Sequence, residues 1–121
     1  MKGGYKVKFY KNSKSGFELV LEYINNLDVK NKAKVIKYID FLAKNDGYLD
    51  EPYSKHIRDK IRELRVDFSR NRHRIFYFAF VNKTIILLHA FLKKTAKTPE
   101  KEILRASNNY KDAVNNPKIY E

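Results

Sequence analysis

The sequence predicts an α+β fold: an antiparallel sheet with an N-terminal helical hairpin on one face and a closing helix at the side. Three observations lead there. Short apolar or alternating runs at 5–10, 61–68, 73–81 and 84–92 read as strands. Two apolar stripes at helical spacing stand close together between the first and second of them. A third helical stretch follows the last strand. The order is therefore β-α-α-β-β-β-α, a single domain over 1–121 without repeat or linker.

The first strand, YKVKFY at 5–10, alternates apolar residues with lysine and reads as half-exposed. Ser15-Gly16-Phe17-Glu18 matches a capping box, in which the hydroxyl and the carboxylate satisfy each other's free amides. Phe17, Val20, Leu21, Ile24 and Leu27 follow, giving a helix over about 15–27. After a break at Asp28, Val35, Ile36, Ile39, Leu42 and Ala43 form a second stripe. It stops at Asn45-Asp46-Gly47, and so short a connection makes the two helices an antiparallel hairpin. Residues 46–60 lack periodicity and read as a long connection around Pro52. From Ile61 the period becomes two: Leu64, Val66 and Phe68 face one way, Glu63, Arg65 and Asp67 the other. SRNR makes a polar turn. HRIFYFAFV and TIILLHAFL then form a hairpin about Asn82-Lys83, apolar enough to be covered at least partly on both faces. Thr98-Pro99-Glu100 supplies a hydroxyl cap, a proline first position and an acidic first turn, with Ile103, Ala106, Tyr110 and Ala113 as the inner stripe. The tail NNPKIYE is expected to fray or dock loosely.

Composition narrows the function. Hydrophobic residues make up 43% of the 121, enough for a core and against disorder. There is no cysteine, hence neither a disulfide framework nor a thiolate zinc site. The N-terminus carries no secretory apolar region, and the longest apolar run is too short to span a bilayer. A soluble cytoplasmic protein is expected, with no membrane partner. The charge is unevenly spread: residues 55–97 hold twelve basic and three acidic side chains, against ten and seven before and four and four after. Such a concentration points to a polyanion partner, RNA, DNA, a membrane surface or an acidic protein.

Strand alternation turns that excess into a surface. Arg65 lies on the polar face of its strand, Arg72 and Arg74 share a face of the next, and Lys93 follows His89 and Phe91 on one face of the last, with Lys94 opposite. Neighbouring strands are about 5 Å apart, so Arg65, Arg74 and the basic end of the last strand can converge. Cations held this way can grip a phosphodiester and neutralise the extra charge of its cleavage transition state; each could also be an ordinary solvated strand residue. Lys97 stands beside a helix start, where phosphate capture competes with simple capping by Glu100 and Glu102. Of the three histidines, His56, His73 and His89, none has metal-ligand spacing, and no metal or other cofactor is expected. His89 lies in an apolar strand, where a hydrogen-bonded core imidazole is the commoner outcome and proton transfer near an RNA 2′-hydroxyl the alternative. The segment has no phosphate-binding glycine loop, nucleophile elbow or paired carboxylates.

The stretch ELRVDFSRNRHRIFYFAFVNKTIILLHAFLKKTAKTPEKEILRA, Glu63 to Ala106, resembles the HigB-like, phage-derived branch of the RelE superfamily of bacterial toxins. The shared parts are the E-L-R strand, the R-I-F-Y-F strand, L-L-H-x-F-x-K-K-T-x-K-T-P and an E-I-x-x-A helix, and the element order extends the likeness to the whole chain. The resemblance implies a type II toxin: a ribosome-dependent, metal-independent mRNA endoribonuclease acting in the ribosomal A site. It implies a HigA-like helix-turn-helix antitoxin as partner, with operator DNA bound only through the complex. By position, Arg65 matches a strand base of the superfamily that helps deprotonate the 2′-hydroxyl or holds phosphate, and Arg74 the phosphate-stabilising arginine. Lys93 and Lys94 stand at the cation that follows the last strand, and Lys55 at a basic RNA-binding position. The sequence departs from the pattern at Ala90, in IRDKI before E-L-R, and at Glu63, where better-known members are basic; Tyr110 is a loose match to a tyrosine of the last helix. Arginine is a poor general base, which leaves Lys93, Lys94 and His89 for proton transfer. The alternatives are a non-catalytic RNA- or ribosome-binding module and a DNA-binding regulatory subunit.

Overall fold

The computed structural model describes residues 4–121. Its elements are β1 (Lys6–Phe9), α1 (Leu19–Asn25), α2 (Val29–Lys44), β2 (Ser54–Arg58), β3 (Ile61–Phe68), β4 (Asn71–Phe80), β5 (Thr84–Leu92) and α3 (Glu100–Asn115), then a 3-10 turn at Pro117–Tyr120. The five strands form one sheet in the order β1-β5-β4-β3-β2. The architecture is the RelE-like α+β one. None of the helices is long and apolar enough to cross a membrane among the described residues.

The sheet is mixed rather than antiparallel. β2 to β5 pair antiparallel, but β1 runs parallel to β5, with Lys6 opposite Thr84 and Phe9 opposite Leu87. The expectation of an antiparallel sheet fails at this pair, which no short connection joins. The presumed long connection at 46–60 contains β2. Its sequence, SKHIR, holds one apolar residue, and an edge strand needs no more because it pairs on one side only.

The capping box does not form. Ser15 Oγ instead accepts from the Phe17 amide at 3.2 Å within a turn where Gly16 has φ +76°, and α1 begins at Leu19. Phe17 is consequently 52% exposed, and in α2 Ile36 lies outside the buried row of Val35, Ile39 and Leu42. Asp28 caps α2, accepting from the Asn31 amide at 2.8 Å. The β4–β5 hairpin turns through Asn82 and Lys83, both at positive φ, as expected of a two-residue turn. The tail is docked rather than frayed: Tyr120 is buried, and its hydroxyl accepts from the Lys11 amide at 3.0 Å.

Two cores sandwich the sheet. On one face α1 and α2 bring Val20, Ile24, Val35, Ile39 and Leu42 onto Leu64, Val66, Ile75, Tyr77 and Leu87. On the other, α3 sets Ala106 and Ala113 against Ile61, Phe76, Phe78, Ile86 and Leu88. A bulge opposite the Phe76–Tyr77 step makes Leu88 the extra residue of β5, since Phe76 faces His89 while Tyr77 faces Leu87. Beyond the bulge His89, Phe91 and Lys93 follow one another on the α3 side.

Candidate active site

The register defines three rungs across the α3 side of the sheet. The first runs Lys55–Glu63–Phe76–His89, the second Arg65–Arg74–Phe91, and the third Asp67–Arg72, continued by Lys93, whose amide donates to the Arg72 carbonyl at 2.8 Å. α3 covers the sheet as far as the first rung. Beyond it Arg72 and Asp67 are exposed, and Arg65 and Lys93 are half-buried. The result is a shallow cleft floored by cations.

Arg74 forms the floor. It is 5% exposed, and its Nη1 donates to Asp67 Oδ1 at 2.7 Å and to the His73 carbonyl at 3.0 Å. Its buried Nε has no partner, an unfilled donor of a kind folded proteins seldom leave. Beside it Arg65 Nε donates to Glu63 Oε1 at 3.0 Å. Glu63 is fully buried, and its Oε2 accepts from Thr98 Oγ1 at 3.1 Å. Thr98 is thus diverted from the expected cap, and Pro99 occupies the cap position of α3. The start of α3 is also fastened by Arg58, which donates to both oxygens of Glu100 at 2.8 and 3.2 Å.

Lys93 is held among these charges. Burial and then Arg74 push its ammonium pKa down, Arg65 and Arg72 adding to the effect and Glu63 opposing it. An amine with a lowered pKa exchanges protons at neutral pH more readily than an ordinary lysine.

The structure brings four of the expected residues together: Arg65, Arg72, Arg74 and Lys93. Lys55 flanks them on the edge strand, opposite Glu63. Lys94 and Lys97 are exposed in the loop to α3, where Thr95 Oγ1 donates to the Lys97 carbonyl at 2.6 Å. His89 stands apart. It is 3% exposed, lies 5.9 Å from the Phe91 ring, and pairs through Nε2 with Glu102 Oε1 at 2.8 Å. Burial holds its pKa below the usual imidazole value, although Glu102 pulls the other way. Phe91 separates it from Lys93 on the same face. Tyr110 packs edge-on against Phe78, 4.7 Å between ring centroids, inside the α3-side core.

Glu63, expected only as a departure from the family pattern, and Thr98, expected as a cap, are parts of the site, as is Asp67, whose face was expected but not its bond to Arg74. Alternation does put Glu63, Arg65 and Asp67 on one face, but nothing in the spacing indicates that Glu63 is sealed from solvent. Among the described residues no three acidic or histidine side chains group closely enough to hold a metal ion.

Residues 22–111 match the family described as phage-derived protein Gp49-like (DUF891). The chain belongs to this family. The matched span runs from within α1 through most of α3 and includes every residue of the cleft. The Gp49-like family is RelE-type and toxin-like, which makes this a phage-derived toxin-like protein. No curated protein matches the chain.

Proposed function

We propose that this protein is the HigB-like toxin of a type II toxin–antitoxin system, an endoribonuclease that cuts mRNA on the ribosome and arrests translation. Its setting is the cytoplasm. A HigA-like helix-turn-helix antitoxin neutralises it, and the pair meets operator DNA through the antitoxin. The observation that carries the proposal is the convergence of Arg65 from β3, Arg72 and Arg74 from β4, and Lys93 just past the end of β5, on an uncovered sheet face.

That arrangement suits attack of an mRNA 2′-hydroxyl on the adjacent phosphate. The 2′-oxygen bonds to phosphorus, the bond to the 5′-oxygen breaks, and the products are a cyclic phosphate and a 5′-hydroxyl. The arginines stabilise the added negative charge on the phosphoryl oxygens. Arg65 and Arg74 grip the scissile phosphate; Lys55, Arg72, Lys94 and Lys97 hold the backbone on either side. Lys93 is the cleft group suited to moving a proton, because arginine stays charged and His89 is screened by Phe91.

Inducing the Lys93→Ala variant is the test. Growth arrest is expected to vanish while the protein still folds and still binds its antitoxin; a variant as toxic as the wild type would overturn the assignment. Lys93 serves better here than Arg74, whose removal would also empty a buried position.

A further inference from the structure

A carboxylate at the centre of a phosphate-binding surface needs an explanation, because it repels the ligand the surface attracts. Glu63 is also completely desolvated, a condition a charged group sustains only when its oxygens are bonded. Both are, and to different halves of the cleft. Oε1 receives Arg65, on the sheet. Oε2 receives Thr98, the last residue before the α3 cap and the end of the loop that begins at Lys93.

We infer that Glu63 is the positioning residue of this cleft: one oxygen orients Arg65, the other ties down the 93–98 loop, and its charge lets the surrounding cations pack together before RNA arrives. The inference rests on the nuclease proposal for its purpose but not for its geometry. The charged groups that act on Lys93 are Glu63 and Arg65 from β3 and Arg72 and Arg74 from β4, while Asp67 is engaged by Arg74 and Lys55 lies on the far edge strand. Lys94 and Lys97 are exposed in the loop, and of the α3 carboxylates Glu100 is taken by Arg58 and Glu102 by His89. Within this predominantly cationic set, Glu63 is the carboxylate that acts to hold the Lys93 amine protonated, against burial and three arginines. An anion placed there preorganises the cleft, whose cations would otherwise have to be gathered at the moment of reaction.

Two variants separate the two things Glu63 does. Glu63→Gln keeps the size, one oxygen to accept from Arg65 and an amide that can donate to the Thr98 hydroxyl, and removes the charge. Thr98→Val keeps the charge and removes the donor that ties the loop. The side-chain carbon resonance of Lys93, followed by NMR across pH in the isolated protein and assigned with Lys93→Arg, is expected to titrate at lower pH in Glu63→Gln than in the wild type. In Thr98→Val the amides of residues 93–98 are expected to exchange faster with solvent. On ribosomes both variants cleave more slowly, Glu63→Gln by about 10- to 100-fold. The loss falls in kcat and not in KM, since removing an anion does not weaken attraction for RNA, and the pH–rate limb moves to lower pH together with the resonance.

An unchanged or raised Lys93 titration in Glu63→Gln overturns the inference. Should that variant fail to fold, unchanged exchange in the Thr98→Val loop overturns it alone. Neither measurement needs a ribosome. A wild-type protein that cleaves no mRNA therefore defeats the nuclease proposal, while the titration and the exchange still judge Glu63.

Discussion

The two faces of the sheet are built by the same central strands and end in opposite states. Under α1 and α2, Leu64, Val66, Ile75, Tyr77 and Leu87 are fully buried. The one imidazole there, His73, is satisfied at both nitrogens, Nε2 by Asn31 Oδ1 at 2.8 Å and Nδ1 by the Tyr23 hydroxyl at 2.7 Å. On the α3 side the apolar rows stop at Phe76 and Phe91, and cations continue the strands. Arg74 Nε, His89 Nδ1 and Ser107 Oγ, the buried side-chain atoms left without a partner among the described residues, all belong to that side. A face whose polar groups are all matched is finished as structure. A face that keeps the Arg74 Nε donor unmatched among crowded cations still has capacity for an anion.

The sharpest way to break this contrast is to cut one residue from each face. Leu64→Ala leaves a cavity under α2 and is expected to cost about 2–5 kcal/mol in urea denaturation. Arg72→Ala, exposed on the cationic face, is expected to change stability by less than about 0.5 kcal/mol. It lowers the slope of log affinity for RNA against log salt by about one charge. A costly Arg72 substitution or a harmless Leu64 one would erase the distinction.

A smaller effect tests whether the two buried imidazoles are held neutral. Burial is the main cause lowering both pKa values, with Arg74 adding to it at His73 and Glu102 offsetting it at His89. The unfolded chain takes up these protons near pH 6.5, and the folded chain only at lower pH. Below about 6.5 the unfolded state therefore binds more protons, so stability falls as pH drops and levels off once the folded imidazoles titrate as well. The melting temperature is expected to be lower at pH 5.5 than at 7.5, with a smaller difference in His73→Gln. That interval stays above the range in which Asp28, Glu100 and Asp112, whose carboxyl pKa values are lowered, begin to lose their hydrogen bonds. A melting temperature that is flat or rises toward pH 5.5 would show that neither imidazole is held neutral.

Much of this was legible in the residues, and the misses have physical causes. Period-two alternation placed Arg65, Arg72, Arg74 and Lys93 on shared faces because side-chain direction in a strand is set locally. The β1–β5 pairing was illegible because it joins residues 78 positions apart, as Lys6 with Thr84, and leaves no local mark. β2 was missed because an edge strand need not alternate. Ser15 and Thr98 satisfied the local rule for helix caps, yet each hydroxyl found another partner, one in a turn and one on Glu63. Tertiary competition for a hydroxyl leaves no trace in spacing. The same holds for Glu63 itself, whose burial depends on what α3 and the 93–98 loop lay over it.

The proposed cleavage of mRNA on the ribosome by the cationic face is decided by 5′-end mapping. Purified protein, ribosomes and a defined mRNA are incubated, and new ends are located for the wild type and for Lys93→Ala. New 5′-hydroxyl ends within the A-site codon for the wild type, at least about 100-fold fewer for the variant, and none without ribosomes are the results expected. Binding to ribosomes without any new ends, or ends formed equally well by Lys93→Ala, would contradict it.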